Sequence, residues 1–353
     1  MEAMSDTARL AAHSDIATAL ALVSDRDLAA LVASGTPLGV GIGGRSALIE
    51  VEDRKVFVKR VPLTDVERLP EHVRSTANLF EVPPVFHYGL GSPGIGAWRE
   101  LAVHIMTTNW VLSGQFSGYP LMHHWRVLPD TPQPLHEELA DVERVVAYWG
   151  GASQVRDRIE ALRTATANVT LFLEYLPHTV HEWLGAQLAS GDADTACALV
   201  EQQLRESADF LRAHGLVHFD AHFENVLTDG RRLYLADYGL SLTSRFRLTP
   251  EERDFLDRHD GYDHAYTAAQ LVNWLVTALY RYGRQERDAF VRACAEGARP
   301  EGIPPTAAGI ITRYAPLTAV RADFVRRLLD ESRWTPYPYE KLQDAYSSCT
   351  VSA

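Results

Sequence analysis

The chain has 353 residues, a formal net charge of -12, 46% hydrophobic and 23% charged content. That length can bury one large core or two smaller lobes. The acidic balance argues against general nucleic-acid binding, which relies on Lys and Arg to neutralise phosphates, and is compatible with a cationic substrate.

Three cysteines, Cys197, Cys294 and Cys349, lie far apart with no CxxC or Cys/His spacing. Neither a zinc site nor a disulfide framework is expected, and reduced thiols in a cytoplasmic setting fit best. No basic segment followed by an apolar run opens the sequence, and no stretch has the roughly 18 apolar residues of a membrane span. Neither a signal peptide nor a membrane association is expected.

In chain order, residues 5–34 have helical apolar spacing. A glycine-rich segment, Gly39 to Gly44, follows. Two β-like runs come next, Ser46 to Val51 and Lys55 to Arg60, joined by a hairpin turn at EDRK. Residues 62–96 are rich in Pro and Gly and read as irregular. Trp98 to Leu112 reads as a helix with Leu101, Ile105 and Leu112 near one face. Trp125 to Leu128 reads as a short strand, Pro129 to Pro134 as a loop, and Glu137 to Ala167 as a polar helical region. Val169 to Tyr175 is a strongly β-like, buried run. From His181 onward the pattern is mainly helical, with one β-rich interruption over 216–240. A boundary falls at Leu176-Pro177. It divides a smaller α+β half from a larger helical half, an arrangement that suits a ligand cleft.

Four weak motifs carry chemistry. In GLVHFDAHFENVL, Asp220 and Asn225 stand five apart between apolar anchors. Read alone, this suits equally a polar turn or a loop in which a carboxylate orients a hydroxyl proton and an amide oxygen ligates magnesium. In LYLADYGLSL, a strand delivers Asp237, where a carboxylate can bind a metal that bridges nucleotide phosphates. LGVGIGGRS contains G-x-G-x-x-G at Gly39, Gly41 and Gly44. Strands rather than a helix follow it, which argues against a dinucleotide-binding unit. VFVK ends in Lys59, either a solvated strand-edge lysine or a phosphate ligand.

In order and spacing, LGVGIGG, VFVK, HFDAHFEN and DYG resemble the protein kinase-like superfamily, which includes protein kinases and the aminoglycoside and choline-type phosphotransferases. The resemblance covers about residues 35–275. It implies an α+β, bilobal fold, with a small N-lobe built on an antiparallel sheet and a larger, mainly helical C-lobe. It divides the chain into an N-terminal helical extension (1–34), an N-lobe (35–176) with insertions at about 62–96 and 113–168, and a C-lobe (177–353). ATP and Mg2+ are the implied cofactors. Lys59 would hold the α- and β-phosphates, Gly39, Gly41 and Gly44 would cover them, and Asp220 would be the catalytic base or orienting carboxylate. Asn225 and Asp237 would bind magnesium. His218 would brace the loop. Backbone groups near Glu174 and Leu176 would meet the adenine. Glu100 is the choice for the glutamate that pairs with Lys59, with Glu67, Glu71 and Glu81 as rivals.

Departures from the kinase pattern bear on the acceptor. Phe219 precedes Asp220 where many regulated protein kinases have Arg, and His222 supplies the second His of the HxDxHxxN loop of small-molecule phosphotransferases. No clear A-P-E occurs. Thr249-Pro250-Glu251 reads better as a helix start. Asp263 is expected to open a buried helix and brace the loop. The implied activity is transfer of the ATP γ-phosphoryl group to a hydroxyl, of protein Ser or Thr or, alternatively, of an antibiotic or metabolite. A nucleotide-binding pseudokinase is the third alternative.

Overall fold

Glu52 and Asp53 hold positive φ values of 50° and 56°, so the chain reverses between two strands over two residues inside the expected EDRK turn. Two positive φ values make a type I′ turn, whose twist matches that of the flanking strands. The computed structural model describes residues 6–89 and 91–351. In chain order its elements are α1 (Asp6–Ala21), α2 (Asp25–Ser34), β1 (Thr36–Gly41), β2 (Gly44–Val51), β3 (Arg54–Leu63), α3 (Asp65–Arg68), α4 (Ala97–Leu112), β4 (Met122–Pro129), α5 (Glu137–Ala140), α6 (Val142–Tyr148), α7 (Ser153–Arg163), β5 (Ala167–Glu174) and β6 (His178–Thr179). Then come α8 (Val180–Ser190), α9 (Ala193–Ala213), β7 (Leu216–Val217), β8 (Val226–Thr228), β9 (Leu233–Leu235), β10 (Leu242–Thr243), α10 (Pro250–Arg258), α11 (Tyr262–Tyr280), α12 (Arg284–Ala295), α13 (Pro305–Asp330) and α14 (Tyr339–Val351). The fold is α+β.

The chain divides into two compact units, one of residues up to 176 together with 236–252, the other of 177–235 together with 253 onward. The segment 236–252, which the sequence assigns to the helical half, groups with the first unit.

The first unit is built on an antiparallel five-stranded sheet in the order β1-β2-β3-β5-β4. Successive residues of β3 face opposite sides. Val56 and Val58 pack with Ile16 and Leu20 of α1 and Leu28 and Val32 of α2. Val61 and Leu63 pack with Trp98 and Leu101 of α4. Strand β5 is covered on both faces, so its residues from Ala167 to Leu173 are all buried, the polar Asn168 and Thr170 included.

Several elements differ from expectation. The helical stretch 5–34 is two helices, because Ser24 caps α2 by accepting the Asp27 amide. The glycine-rich segment closes a hairpin, from the end of the exposed strand β1 to the start of β2. The polar stretch 137–167 breaks into α5, α6 and α7, with Gly150 and Gly151 at positive φ between the last two. Leu112 is 45% exposed rather than aligned with buried Leu101.

In the second unit α9, α11 and α13 pack together. They bury Val200, Leu204 and Leu211, then Leu271, Val272 and Leu275, then Ile310 and Ile311. A small antiparallel sheet, β6-β8-β9, accompanies them. Among the described residues no helix is long and apolar enough to cross a membrane. All three cysteines are free and buried.

Candidate functional site

Lys59 follows Val58 on β3 and therefore projects to the α4 side of the sheet. There its Nζ lies 2.8 Å from Glu100 Oε1 and 2.9 Å from Asp237 Oδ1. Lys59 is 8% exposed and Glu100 2%, whereas the Asp237 side chain is 42% exposed. Burial opposes the Lys59 charge, but the Asp237 and Glu100 carboxylates outweigh it and hold the ammonium above its ordinary range. Burial, with Asp237 adding to it, raises Glu100 against the pull of Lys59. The result is a cation held between a buried carboxylate and one that reaches solvent.

Of the four candidate glutamates, Glu100 is the one that meets Lys59. Glu67 does a different job. Its carboxylate accepts the Ala97 amide at 2.8 Å, at the start of α4, and the Thr64 amide and hydroxyl at 3.0 and 2.7 Å. It also pairs with Arg158 at 3.2 Å. Glu67 therefore fixes the helix that carries Glu100.

The glycine pattern forms the β1–β2 hairpin, with Gly41 paired to Gly44 across the turn. Gly44 has φ 135°, and a Cβ there would lie 2.2 Å from the Arg60 carbonyl oxygen. Gly39 and Gly41 face open space. Gly43, outside the predicted triplet, sits at the tip, where a Cβ would lie 3.4 Å from Lys59 Nζ.

Asp237 is held at φ 63°, a left-handed conformation uncommon for a non-glycine residue. Its Oδ1 also accepts the Gly239 amide at 3.3 Å. The rest of segment 236–252 is anchored within the same unit. Buried Tyr238 packs edge-on against His104, with ring centroids 4.6 Å apart. The Leu240 carbonyl is 2.6 Å from His87 Nδ1. Arg99, beside Glu100 on α4, pairs with Glu252 at 2.7 Å, both side chains nearly inaccessible. Thr249 caps α10 by accepting the Glu252 amide, and Glu252 accepts the Thr249 amide in return. The TPE stretch is thus a helix start, as its sequence suggests. Nothing in that sequence marks Glu252 as the partner of Arg99.

In the second unit, Asp220 and Asn225 stand on one tight loop. Asn225 Nδ2 donates to the Asp220 carbonyl at 3.0 Å and to its Oδ2 at 3.2 Å. His222 Nδ1 accepts the Glu224 amide, and its Nε2 lies 3.8 Å from Asp220 Oδ2. Fully buried His218 accepts the Asp220 amide through Nδ1. Asp263, in the first turn of α11, accepts the amides of His218 and Phe219 at 2.7 and 3.1 Å. Burial pushes its carboxyl up to about 6, against the pull of those two bonds. Phe219 has φ 68°. Its ring is buried against Phe255 and Tyr262.

Glu174 ends β5, and its amide donates to the Leu121 carbonyl at 2.8 Å. Leu176 ends the first of the two stretches that make up the first unit. The Glu174 carboxylate is clamped by Arg9 of α1, with contacts of 2.8, 3.1 and 2.7 Å. Arg9 also donates to the carbonyls of Ser117 and Tyr119. The available signal was position, because Arg9 falls on the buried stripe Arg9, Ala12, Ile16, Leu20.

Among the described residues no group of three or more His, Cys, Asp and Glu could hold a metal ion by itself. Asp237 in the first unit and Asn225 in the second each carry an oxygen donor of the hard type that magnesium takes. No known protein-family model matches the chain, and no curated relative matches it.

Proposed function

We propose that the chain is an ATP- and magnesium-dependent phosphotransferase with the bilobal fold of the protein kinase-like superfamily. The observation that carries this reading is Lys59, held between Glu100 of α4 and Asp237. A strand lysine paired to a helix glutamate is the arrangement that positions nucleotide phosphates in such enzymes. The glycine hairpin with its tip against Lys59 supports the same reading.

The roles follow from the side chains. Lys59 binds the α- and β-phosphate oxygens, and Glu100 keeps its ammonium oriented and charged. Asp237 and the Asn225 amide oxygen would each offer magnesium a hard oxygen ligand, and the ion would supply neutralisation of the phosphate charge. Donation from Asn225 Nδ2 to Asp220 fixes the amide and directs its oxygen away from the carboxylate. Asp220 accepts the proton of the acceptor hydroxyl as that oxygen bonds to the γ-phosphorus. The bond from the γ-phosphorus to the β-phosphate oxygen breaks, and ADP leaves. Positive φ at Phe219 and Asp237, one residue before the base and at the metal-binding carboxylate, fits strain retained at functional positions.

The acceptor is a hydroxyl, in the first instance that of a protein Ser or Thr. His222, close to Asp220, favours the alternative of a small antibiotic or metabolite. The deciding experiment measures magnesium-dependent ATP binding and ADP release on the purified chain, with Asp220→Ala as control. Loss of at least about 10²-fold in turnover with retained nucleotide binding is expected. Full activity in Asp220→Ala, or absence of nucleotide binding, overturns the reading. Binding without turnover on either a protein panel or a small-molecule panel would instead indicate a pseudokinase.

A further inference from the structure

Arg45 of β2 and Arg60 of β3 are directly opposed in the sheet. Like charges in that position repel, and an unrelieved pair is unfavourable. Asp130, at the end of β4, relieves only one of them. It pairs with Arg45 and accepts the Asn168 amide at 2.9 Å and the Thr131 amide at 2.8 Å. The oxygens of Asp130 are therefore committed. Among the described residues no hydrogen bond or ion pair holds the Arg60 side chain. Burial, then repulsion from Arg45, lowers its proton affinity, and Asp130 offsets this only in part.

Arg60 lines a cavity of about 400 Å³, within the range that small ligands fill. Its apolar walls include Ile42, Pro62, Leu135, Leu139 and Leu162. Glu137, the other acid on the wall, is exposed at the start of α5. Because Arg60 follows Lys59 on one strand, the two side chains face opposite sides of the sheet. The cavity is therefore separate from the Lys59 cluster, although Gly41 and Gly44 of the glycine hairpin form part of its rim.

We propose that this cavity binds a small amphipathic anion, with a carboxylate or phosphate on the Arg60 guanidinium and an apolar body against Ile42, Pro62 and Leu139. The charge is one the protein leaves unmatched, and the walls suit a short hydrocarbon or aromatic body. A planar guanidinium is well shaped for either head group. Binding here does not depend on phosphotransfer. Occupancy would also order the hairpin whose tip lies against Lys59.

The test titrates the full chain calorimetrically with octanoate, octyl phosphate, octanol, octylamine and inorganic phosphate. Saturable binding of octanoate, octyl phosphate or both, weakened about tenfold or more by Arg60→Gln, is expected. Hydrogen exchange at Val40 to Arg45 should slow when the anion binds. Arg60→Gln removes a like-charge repulsion and should fold, so it carries the test even if the cavity-filling Ala165→Phe does not. The proposal is overturned if no anion binds, if octanol or octylamine binds as tightly, if inorganic phosphate matches octyl phosphate, or if Arg60→Gln leaves affinity unchanged.

Discussion

Lys59 and Glu100 meet at 2.8 Å across the space between a strand and a helix, both largely withdrawn from solvent. A buried pair is costly to break on one side, because the partner is left as an uncompensated charge. Lys59→Met should therefore destabilise the protein by about 3–5 kcal/mol. Lys59→Met with Glu100→Gln should recover much of that loss. Urea unfolding of the two single variants and the double variant measures the coupling. Strict additivity would mean that the two residues do not act as a pair.

The loop carrying Asp220 hangs from Asp263. Asp263→Ala leaves the His218 and Phe219 amides without their acceptor in a buried setting and should cost about 3 kcal/mol. Asp263→Asn keeps one acceptor oxygen and should cost less. If Asp220 acts as proposed, turnover should fall in both variants while nucleotide affinity changes little. Equal urea midpoints for wild type and Asp263→Ala would remove the bracing role.

How much of this was legible depends on what each residue touches. Strand β5 could be read because both its faces are covered, so it is dense in apolar and β-branched residues, with only Asn168 and Thr170 polar between Ala167 and Leu173. Strand β1 could not, because it is exposed along its length and its alternating Leu38 and Val40 are separated by glycine, which reads as a loop. Lys59, Asp220, Asn225 and Asp237 stand out in the sequence through motif order. The sequence favours Glu100 over its rivals, but only the third dimension separates it from Glu67, which is also buried and acidic. Sequence spacing cannot say which of two buried glutamates caps a helix and which faces a lysine. Arg99 with Glu252, and Arg9 with Glu174, are long-range pairs that no local pattern announces.

The glycine hairpin yields a contrast between neighbours. Gly44→Ala forces a Cβ to 2.2 Å from the Arg60 carbonyl at φ 135°. Backbone strain of this kind is worth about 1–3 kcal/mol before the clash is counted, so the variant should unfold at clearly lower urea. Gly41→Ala meets open space and should lie within about 1 kcal/mol of wild type. Any loss of nucleotide affinity in Gly41→Ala then reports a ligand contact rather than a damaged fold. Equal destabilisation by both substitutions would show that the hairpin register is wrong.

His13 and His123 place their Nδ1 atoms 3.0 Å apart. One ring must donate and the other accept, so the pair cannot take a second proton without opposing two donors. Burial, then the charges of His13 and Arg9, push His123 down from 6.5 to about 3. Burial likewise lowers His13, against the pull of Glu174. A depressed folded value means that the unfolded chain binds the proton first. The stability contribution is full above pH 6.5 and is lost progressively as pH falls toward 3. In that window the slope for His123 is about 1.4 kcal/mol per pH unit. His123→Gln cannot titrate there. Urea unfolding of wild type and His123→Gln at pH 7, 6 and 5 should therefore show wild type losing ground to the variant as pH drops. Parallel profiles would mean that His123 takes up its proton in the folded state as readily as in the unfolded one.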